Sequence, residues 1–219
     1  MNDSVWERWG SNSMSKNLYV LSICGFTGVG ILISMLVAQF TLSMQFGWIE
    51  FLVVLVLGIA GVIVAYRSDK PLISLLGYMM VAVPYGALLG PFLNLFVPVS
   101  IIEAFLVTTI FVAVLGLVGA VIPDSLESWA GWLLGGLIVG ILGYFIIPIA
   151  GFFGFNIEQA LGIWDWAVIA LFAFIIIYDF NKAMRIPYTL DNSIDVALAV
   201  YLDWFNVFIR YLGNRGKRD

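Results

Sequence analysis

Long stretches without a charged residue, separated by short polar clusters, dominate the pattern of the chain. The uncharged stretches lie between Lys16 and Glu50, Glu50 and Arg67, Lys70 and Glu103, Glu103 and Asp124, and Glu127 and Glu158. A bilayer core of about 30 Å is crossed by about 20 helical residues, so each stretch can hold a membrane-spanning helix. The apolar residues do not alternate with polar ones as they do in outer-membrane barrels. The pattern therefore predicts a bundle of spanning helices.

Seven helices are predicted, within one all-α polytopic domain. They cover approximately residues 18–42, 48–66, 72–89, 100–122, 129–148, 164–184 and 193–211. Residues 1–17 are predicted to form an N-terminal segment, residues 18–212 the seven-helix transmembrane domain, and residues 213–219 a basic C-terminal tail. Tryptophans lie close to several predicted helix ends, as in the aromatic belt of a membrane interface. These are Trp48, Trp129, Trp132, Trp164 and Trp166.

Composition excludes a soluble domain. Of the 219 residues, 62% are hydrophobic and 11% are charged, and the mean hydropathy is +1.04. A single cysteine, Cys24, rules out an intrachain disulfide or a multi-cysteine metal site. No glycine-rich segment leads from a strand into a helix, so we expect no nucleotide-binding loop. We also expect no cofactor and no nucleic-acid partner.

The basic residues predict the orientation, because positively charged loops stay in the cytoplasm. Six of them fall on one side of the predicted bundle, namely Arg8, Lys16, Arg67, Lys70, Lys182 and Arg185. We therefore expect a cytoplasmic N-terminus. The small size of the chain favours the bacterial cytoplasmic membrane, with the endoplasmic reticulum as an alternative. The sequence does not fix the oligomeric state, and a monomer is compatible with it.

The C-terminal basic residues conflict with this orientation. Arg210, Arg215, Lys217 and Arg218 would lie outside if all seven helices cross. Either the seventh helix crosses and tolerates a basic outer end, or it is re-entrant and both termini are cytoplasmic. We favour a crossing helix, because residues 193–211 are long enough and late basic residues control topology weakly.

Two aspartates interrupt the last two predicted helices. Only 13 uncharged residues separate Asp165 from Asp179, so the sixth helix must continue through Asp179 to cross the membrane. Asp203 divides the seventh helix near its middle. A turn between the two helices would bring both carboxyl groups to similar depths. An ionisable residue inside the membrane indicates a functional site, although Asp203 could also merely hydrogen-bond a neighbouring helix.

The seventh helix has one polar side. Asp195, Ala199, Asp203, Asn206 and Arg210 follow spacings of four, four, three and four residues, which places them on one face. The remaining faces are apolar. This pattern predicts a helix surrounded by protein, whose polar face lines an ion path or meets polar partners.

Several segments resemble the Bax inhibitor-1 family, also called the TMBIM family. They are Tyr178-Asp179-Phe180-Asn181 in the sixth helix, Tyr201-Leu202-Asp203-Trp204-Phe205-Asn206 in the seventh, and Ile102-Glu103-Ala104-Phe105 in the fourth. The resemblance covers about residues 78–211 and is nearest to the compact bacterial YetJ-like members. It implies six helices wrapped around a central C-terminal helix.

The function that the resemblance implies is a pH-sensitive calcium leak, not an enzyme. Its pore aspartates correspond to Asp179 and Asp203, and its acidic residue in the fourth helix corresponds to Glu103. An arginine latch on the pair would be Arg67 or Arg185, or it would be absent. Glu103 could instead complete a capping box with Ser100 at the start of the fourth helix.

The chemistry of two close carboxylates fits this expectation. They cannot both ionise cheaply in a poorly solvated site, so we expect them to share a proton whose loss or gain gates the path. The chain has no histidine that could supply this switch. Carboxylate oxygens suit calcium, which we expect Asp179, Asp203 and Asp195 to bind transiently. The partners expected are therefore calcium, protons and membrane lipid.

Other functions remain open for such a pair. Presenilin-like intramembrane proteases also carry aspartates on two neighbouring helices. Their second aspartate follows Gly-x-Gly, whereas here Val200-Tyr201-Leu202 precedes Asp203, and their Pro-Ala-Leu motif is absent. A proton-coupled transporter would show saturable uptake driven by a gradient. A regulatory membrane protein would carry no flux in pure liposomes.

Overall fold

The structure is a computed structural model, and it describes residues 13–215 of the chain. The helices are α1 (Lys16–Thr41), α2 (Trp48–Arg67), α3 (Pro71–Leu93), α4 (Pro98–Val121), α5 (Ala130–Ala150), α6 (Ile157–Ala183) and α7 (Leu190–Gly213). Each is long and apolar enough to cross a membrane, which confirms the seven predicted spans. The described part of the chain contains no strand. Residues 1–12 of the predicted N-terminal segment and 216–219 of the predicted tail lie outside it.

Local signals explain where several helices begin. Ser15 caps α1, and its hydroxyl accepts a hydrogen bond from the Leu18 amide at 3.4 Å. Proline occupies the first position of α3 and of α4, where its missing N–H costs nothing. Because α4 starts at Pro98, Ser100 lies inside the helix and cannot cap it. The capping-box interpretation of Glu103 is therefore wrong.

The helix α6 is longer than predicted. It begins at Ile157, seven residues before the predicted start, and has 27 residues. The Asn156 side chain caps it by accepting a hydrogen bond from the Gln159 amide at 3.1 Å. The negative charge of Glu158 in the first turn stabilises the helix by interacting with the positive end of the helix dipole. Hydropathy alone predicted the start of α6 too late, because Glu158 and Asp165 interrupt the apolar run near this end.

The described residues form two compact units. The first contains α1, α2, α3 and the beginning of α7, up to Tyr201. Small residues let its helices approach closely, since Gly86 lies against the Ser34 backbone and Gly61 against Gly77. The Ser34 hydroxyl lies 2.8 Å from the Ala82 carbonyl oxygen, to which it donates, and 2.7 Å from the Tyr201 hydroxyl.

The start of α7 carries a buried polar cluster within the first unit. Its members are Thr189, Asp191, Asn192, Ser193 and Asp195. Ser74 of α3 donates to a carboxylate oxygen of Asp191 at 2.7 Å, and Asn192 donates to the Pro187 carbonyl oxygen at 2.8 Å. These bonds satisfy Asp191 Oδ1 and Asn192 Nδ2, which would be costly to bury alone.

The second unit contains α4, α5, α6 and the rest of α7, from Leu202 onward. The α4 and α6 backbones approach closely where Gly119 meets Ile177, which leaves no room for a side chain. The Trp204 indole stacks on Phe208 and donates to the Thr109 hydroxyl at 3.1 Å. The bond to Thr109 attaches α7 to α4 inside this unit.

The most buried of the seven helices is α7. In the most apolar 18-residue stretch of α7, 67% of the residues are buried, compared with 11% to 39% in the corresponding stretches of the other six helices. Apolar side chains on every face of it are covered, including Val196, Leu198 and Phe208. This burial agrees with the central C-terminal helix that the sequence predicts.

Candidate functional site

The carboxyl groups of Asp179 and Asp203 meet inside the second unit. Asp179 projects from α6 and Asp203 from α7, and the two side chains are hydrogen-bonded to each other. Asp203 is only 5% exposed, and no N–H or O–H group of the described residues donates to its Oδ2. An ionised carboxylate has no proton to donate, so this contact requires a proton on one of the two groups. The geometry therefore supports a shared proton.

The antiparallel register of α6 and α7 creates this contact. Two turns away along both helices, the Arg210 guanidinium lies over the Phe172 ring, 5.5 Å from its centroid. Phe172 precedes Asp179 by seven residues, and Arg210 follows Asp203 by seven. Seven residues complete almost two helical turns, so the same faces of α6 and α7 meet at both levels.

Asn181 fixes the end of α6 against the end of α4. Its Nδ2 donates to the carbonyl oxygens of Gly119, Ile122 and Asp124 at 3.1 to 3.3 Å, and its Oδ1 accepts from the Leu126 amide at 3.1 Å. The residue lies two positions after Asp179. It belongs to the Tyr-Asp-Phe-Asn segment, but the sequence alone assigned it no role. A buried amide in an apolar helix was the available signal.

Positive charges lie near one member of the pair. Lys182, one turn beyond Asp179 on α6, acts on that carboxyl group electrostatically. Arg67 is the last residue of α2, and Arg185 follows α6; both are exposed and belong to the first unit. The latch role of either arginine stays a prediction.

Glu103 is bound elsewhere in the second unit. It projects from the early part of α4 and forms an ion pair with Arg215 at 2.5 Å, with side chains 45% and 40% exposed respectively. Arg215 follows Asp203 by 12 residues. The structure therefore places Glu103 near the end of α7, and its role on an ion path remains a prediction.

The other two predicted path residues lie on α7. Asp195 belongs to the first unit, where it is 1% exposed and close to Tyr19 of α1. Asn206 belongs to the second unit and donates to the Leu202 carbonyl oxygen at 2.8 Å. Its side-chain oxygen accepts from Arg210 at 2.8 Å. Asn206 thus connects the level of Asp203 with that of Arg210.

A charged network on α5, α6 and α7 was not predicted. Tyr144 donates a hydrogen bond to Asp165, and the Tyr144 hydroxyl accepts from Arg210 Nε at 3.0 Å. Asn214 donates to the other oxygen of Asp165 at 3.4 Å. The sequence singled out Arg210 as the end of the polar face of α7, but nothing in it marked Tyr144 as a partner.

The fold and the site define the class of protein to which the chain belongs. Within residues 13–215, seven apolar helices with a hydrogen-bonded carboxyl pair between the last two make this a polytopic α-helical membrane protein. Comparison with known families gives a match to the model described as inhibitor of apoptosis-promoting Bax1, over residues 16–215. The chain belongs to this Bax inhibitor-1 family, as its sequence motifs predicted.

Proposed function

We propose that the protein is a pH-sensitive calcium leak channel, gated by the proton that Asp179 and Asp203 share. The observation that carries the proposal is the contact between the half-buried carboxyl group of Asp179 and the buried carboxyl group of Asp203. Membership of the Bax inhibitor-1 family is consistent with a calcium leak. A channel needs no catalytic step, and we assign the pair no enzymatic role.

The shared proton would act as a tie between α6 and α7. While one proton lies between the carboxyl groups, it attracts both oxygens and holds the two helices in register. Loss of that proton leaves two negative charges in a poorly solvated site, and they repel each other. Since the two carboxyl groups titrate together, a change in pH would alter the hydrogen bond between α6 and α7 and thereby open or close the calcium path.

Calcium would be bound weakly at such a site. Two carboxyl groups are fewer than the oxygen ligands that a tight calcium site uses, and water would supply the remainder. Within the described residues, no three His, Cys, Asp or Glu side chains gather as a metal site. Weak binding suits permeation, because an ion must leave the site as readily as it enters.

The source of the pH response would be the pair itself. The chain has no histidine, and the positive charge of Lys182 acts on Asp179. We also propose a cytoplasmic N-terminus, because the basic loops favour that side.

The proposal is tested by measuring calcium entry into dye-loaded liposomes that contain the purified protein. The measurement runs from about pH 5 to pH 8, the range in which a coupled carboxyl pair is expected to titrate. Wild-type protein should leak with a clear pH dependence. Asp179→Asn should flatten it and keep the leak low, because an asparagine amide donates to Asp203 at every pH and imitates the tied state. Asp179→Ala should flatten it at a higher leak, because the tie is lost.

The matched control is Glu158→Gln, which removes a carboxylate from an exposed position in the first turn of the same helix. It should leave the pH profile unchanged. If neither wild type nor any variant admitted calcium at any pH, the leak hypothesis would be wrong. A pH profile that survives both Asp179 substitutions would show that another group is the gate.

A further inference from the structure

Arg210 is held in a fixed position on the polar face of α7. Its Nη1 donates to the backbone and side-chain oxygens of Asn206, each at 2.8 Å, and its Nε donates to the Tyr144 hydroxyl at 3.0 Å. The guanidinium also lies over the rings of Tyr144 and Phe172, at 5.4 and 5.5 Å from their centroids. Contacts from three helices therefore immobilise one positive charge.

This charge lies on the same helix faces as the carboxyl pair. Seven residues separate Arg210 from Asp203 on α7, which is about 10 Å along the helix axis. The facing positions on α6 are Phe172 and Asp179. An ion that moved from the pair along the α6–α7 interface toward the end of α7 would therefore come close to the guanidinium.

The guanidinium of Arg210 contributes a positive charge at this level. Asp165 is its nearest acidic partner through the network, but the Tyr144 hydroxyl lies between them. Two consecutive hydrogen bonds separate the charges by roughly 5 Å, so Asp165 offsets the field of Arg210 only in part. A divalent cation at this level would meet repulsion.

We propose that Arg210, fixed by Tyr144 and Asn206, is a second, electrostatic gate that limits calcium passage beyond the Asp179–Asp203 pair. This inference rests on the proposed calcium leak and adds a residue that sets its rate and ion preference. The pair determines when the path responds to pH. Arg210 determines how strongly cations of different charge are held back.

Arg210→Gln tests the gate in the same liposomes, with calcium and potassium flux measured in parallel. Removing the charge should raise calcium entry about fivefold or more, and potassium entry by less, because repulsion scales with the charge of the ion. The pH dependence set by the pair should persist. Tyr144→Phe releases the guanidinium from one contact and should raise calcium entry by a smaller factor.

Two variants separate the effect of charge from general loosening. Arg210→Lys keeps a positive charge but loses the guanidinium contacts, and it should raise calcium entry less than Arg210→Gln does. Lys16→Gln removes an exposed positive charge at the start of α1 and should change neither flux. Equal rises in calcium and potassium entry would indicate a loosened protein and would overturn the gate, as would an Arg210→Gln leak no greater than wild type.

The outcomes distinguish the gate from the function on which it rests. If wild type leaks with a pH dependence that Asp203→Asn flattens, while Arg210→Gln behaves as wild type, only the gate fails. If wild type does not leak calcium at any pH and Arg210→Gln does not either, the leak and the gate fail together. Should Arg210→Gln not fold, Tyr144→Phe and Arg210→Lys decide the question.

Discussion

Asp203 can lie in an apolar helix because Asp179 reduces the cost of burying it. An isolated carboxylate in such a place would lose most of its hydration without replacement. One proton between the two groups halves the charge of the pair and supplies a hydrogen bond to both. Lys182 adds an attractive charge near Asp179. The same features that make the site tolerable therefore make it sensitive to protonation.

Asn181 should be the residue beside the pair on which stability depends most. Asn181→Ala removes hydrogen bonds to three carbonyl oxygens and one amide near the end of α4. Because part of these backbone groups would be left buried and unsatisfied, we expect a loss of about 2 to 4 kcal/mol. Thermal unfolding in detergent micelles, followed by circular dichroism, measures it.

A second asparagine on the same helix provides the control for this measurement. Asn156 caps the exposed start of α6 with one hydrogen bond. Asn156→Ala should cost about 1 kcal/mol, as is usual for an N-cap. If Asn181→Ala unfolded at the same temperature as Asn156→Ala or above it, the described contacts of Asn181 would not be what secures α6 to α4.

At the scale of the helices, the contacts of α4 show how far α7 runs alongside it. Asn181 joins the end of α6 to the end of α4, whereas the Glu103–Arg215 ion pair joins the early part of α4 to the end of α7. The helix α7 thus returns along the whole length of the second unit. Its 24 residues span about 36 Å, enough to cross a bilayer core. The re-entrant alternative does not fit these contacts.

The same contacts explain why basic residues are tolerated at the end of α7. Arg210 is bound by Tyr144 and Asn206, and Arg215 by Glu103 and Tyr211. A rule based on the number of lysines and arginines in loops treats every charge as solvated. Here hydrogen bonds hold both side chains, and Glu103 offsets the charge of Arg215, which weakens the influence of these residues on orientation.

Cysteine labelling tests the course of α7. In a Cys24→Ser background, a membrane-impermeant maleimide should reach Ser125→Cys, between α4 and α5, from one side of the membrane. It should reach Phe155→Cys, before α6, and Gly213→Cys, at the end of α7, from the opposite side. All three native positions are exposed. Labelling of Ser125→Cys and Gly213→Cys from the same side would contradict a crossing seventh helix.

At the scale of the whole molecule, hydropathy was sufficient to predict the helices. Seven spans follow from where charges are absent, since the bilayer allows few other structures. The start of α6 was missed because charges at Glu158 and Asp165 lie inside the helix. One of them, Asp165, is bound by Tyr144 and Asn214, and a window of hydropathy cannot register such partners.

The site was predictable only in part. The positions of Asp179 and Asp203 within apolar helices marked them, and a turn between α6 and α7 implied that they approach. The partners of Asn181, Glu103 and Arg210 depend on which helix faces which, and this is set by close packing at positions such as Gly119. A single sequence does not contain that information in a local form.

The measurement that tests the central claim most directly is infrared spectroscopy of the carboxyl groups near neutral pH. If one proton is shared, wild type should show a protonated-carboxyl band that both Asp179→Asn and Asp203→Asn remove, because the remaining aspartate can ionise against an asparagine amide. Glu158→Gln should leave the band in place. Absence of the band in wild type, or its survival in either aspartate variant, would contradict a shared proton.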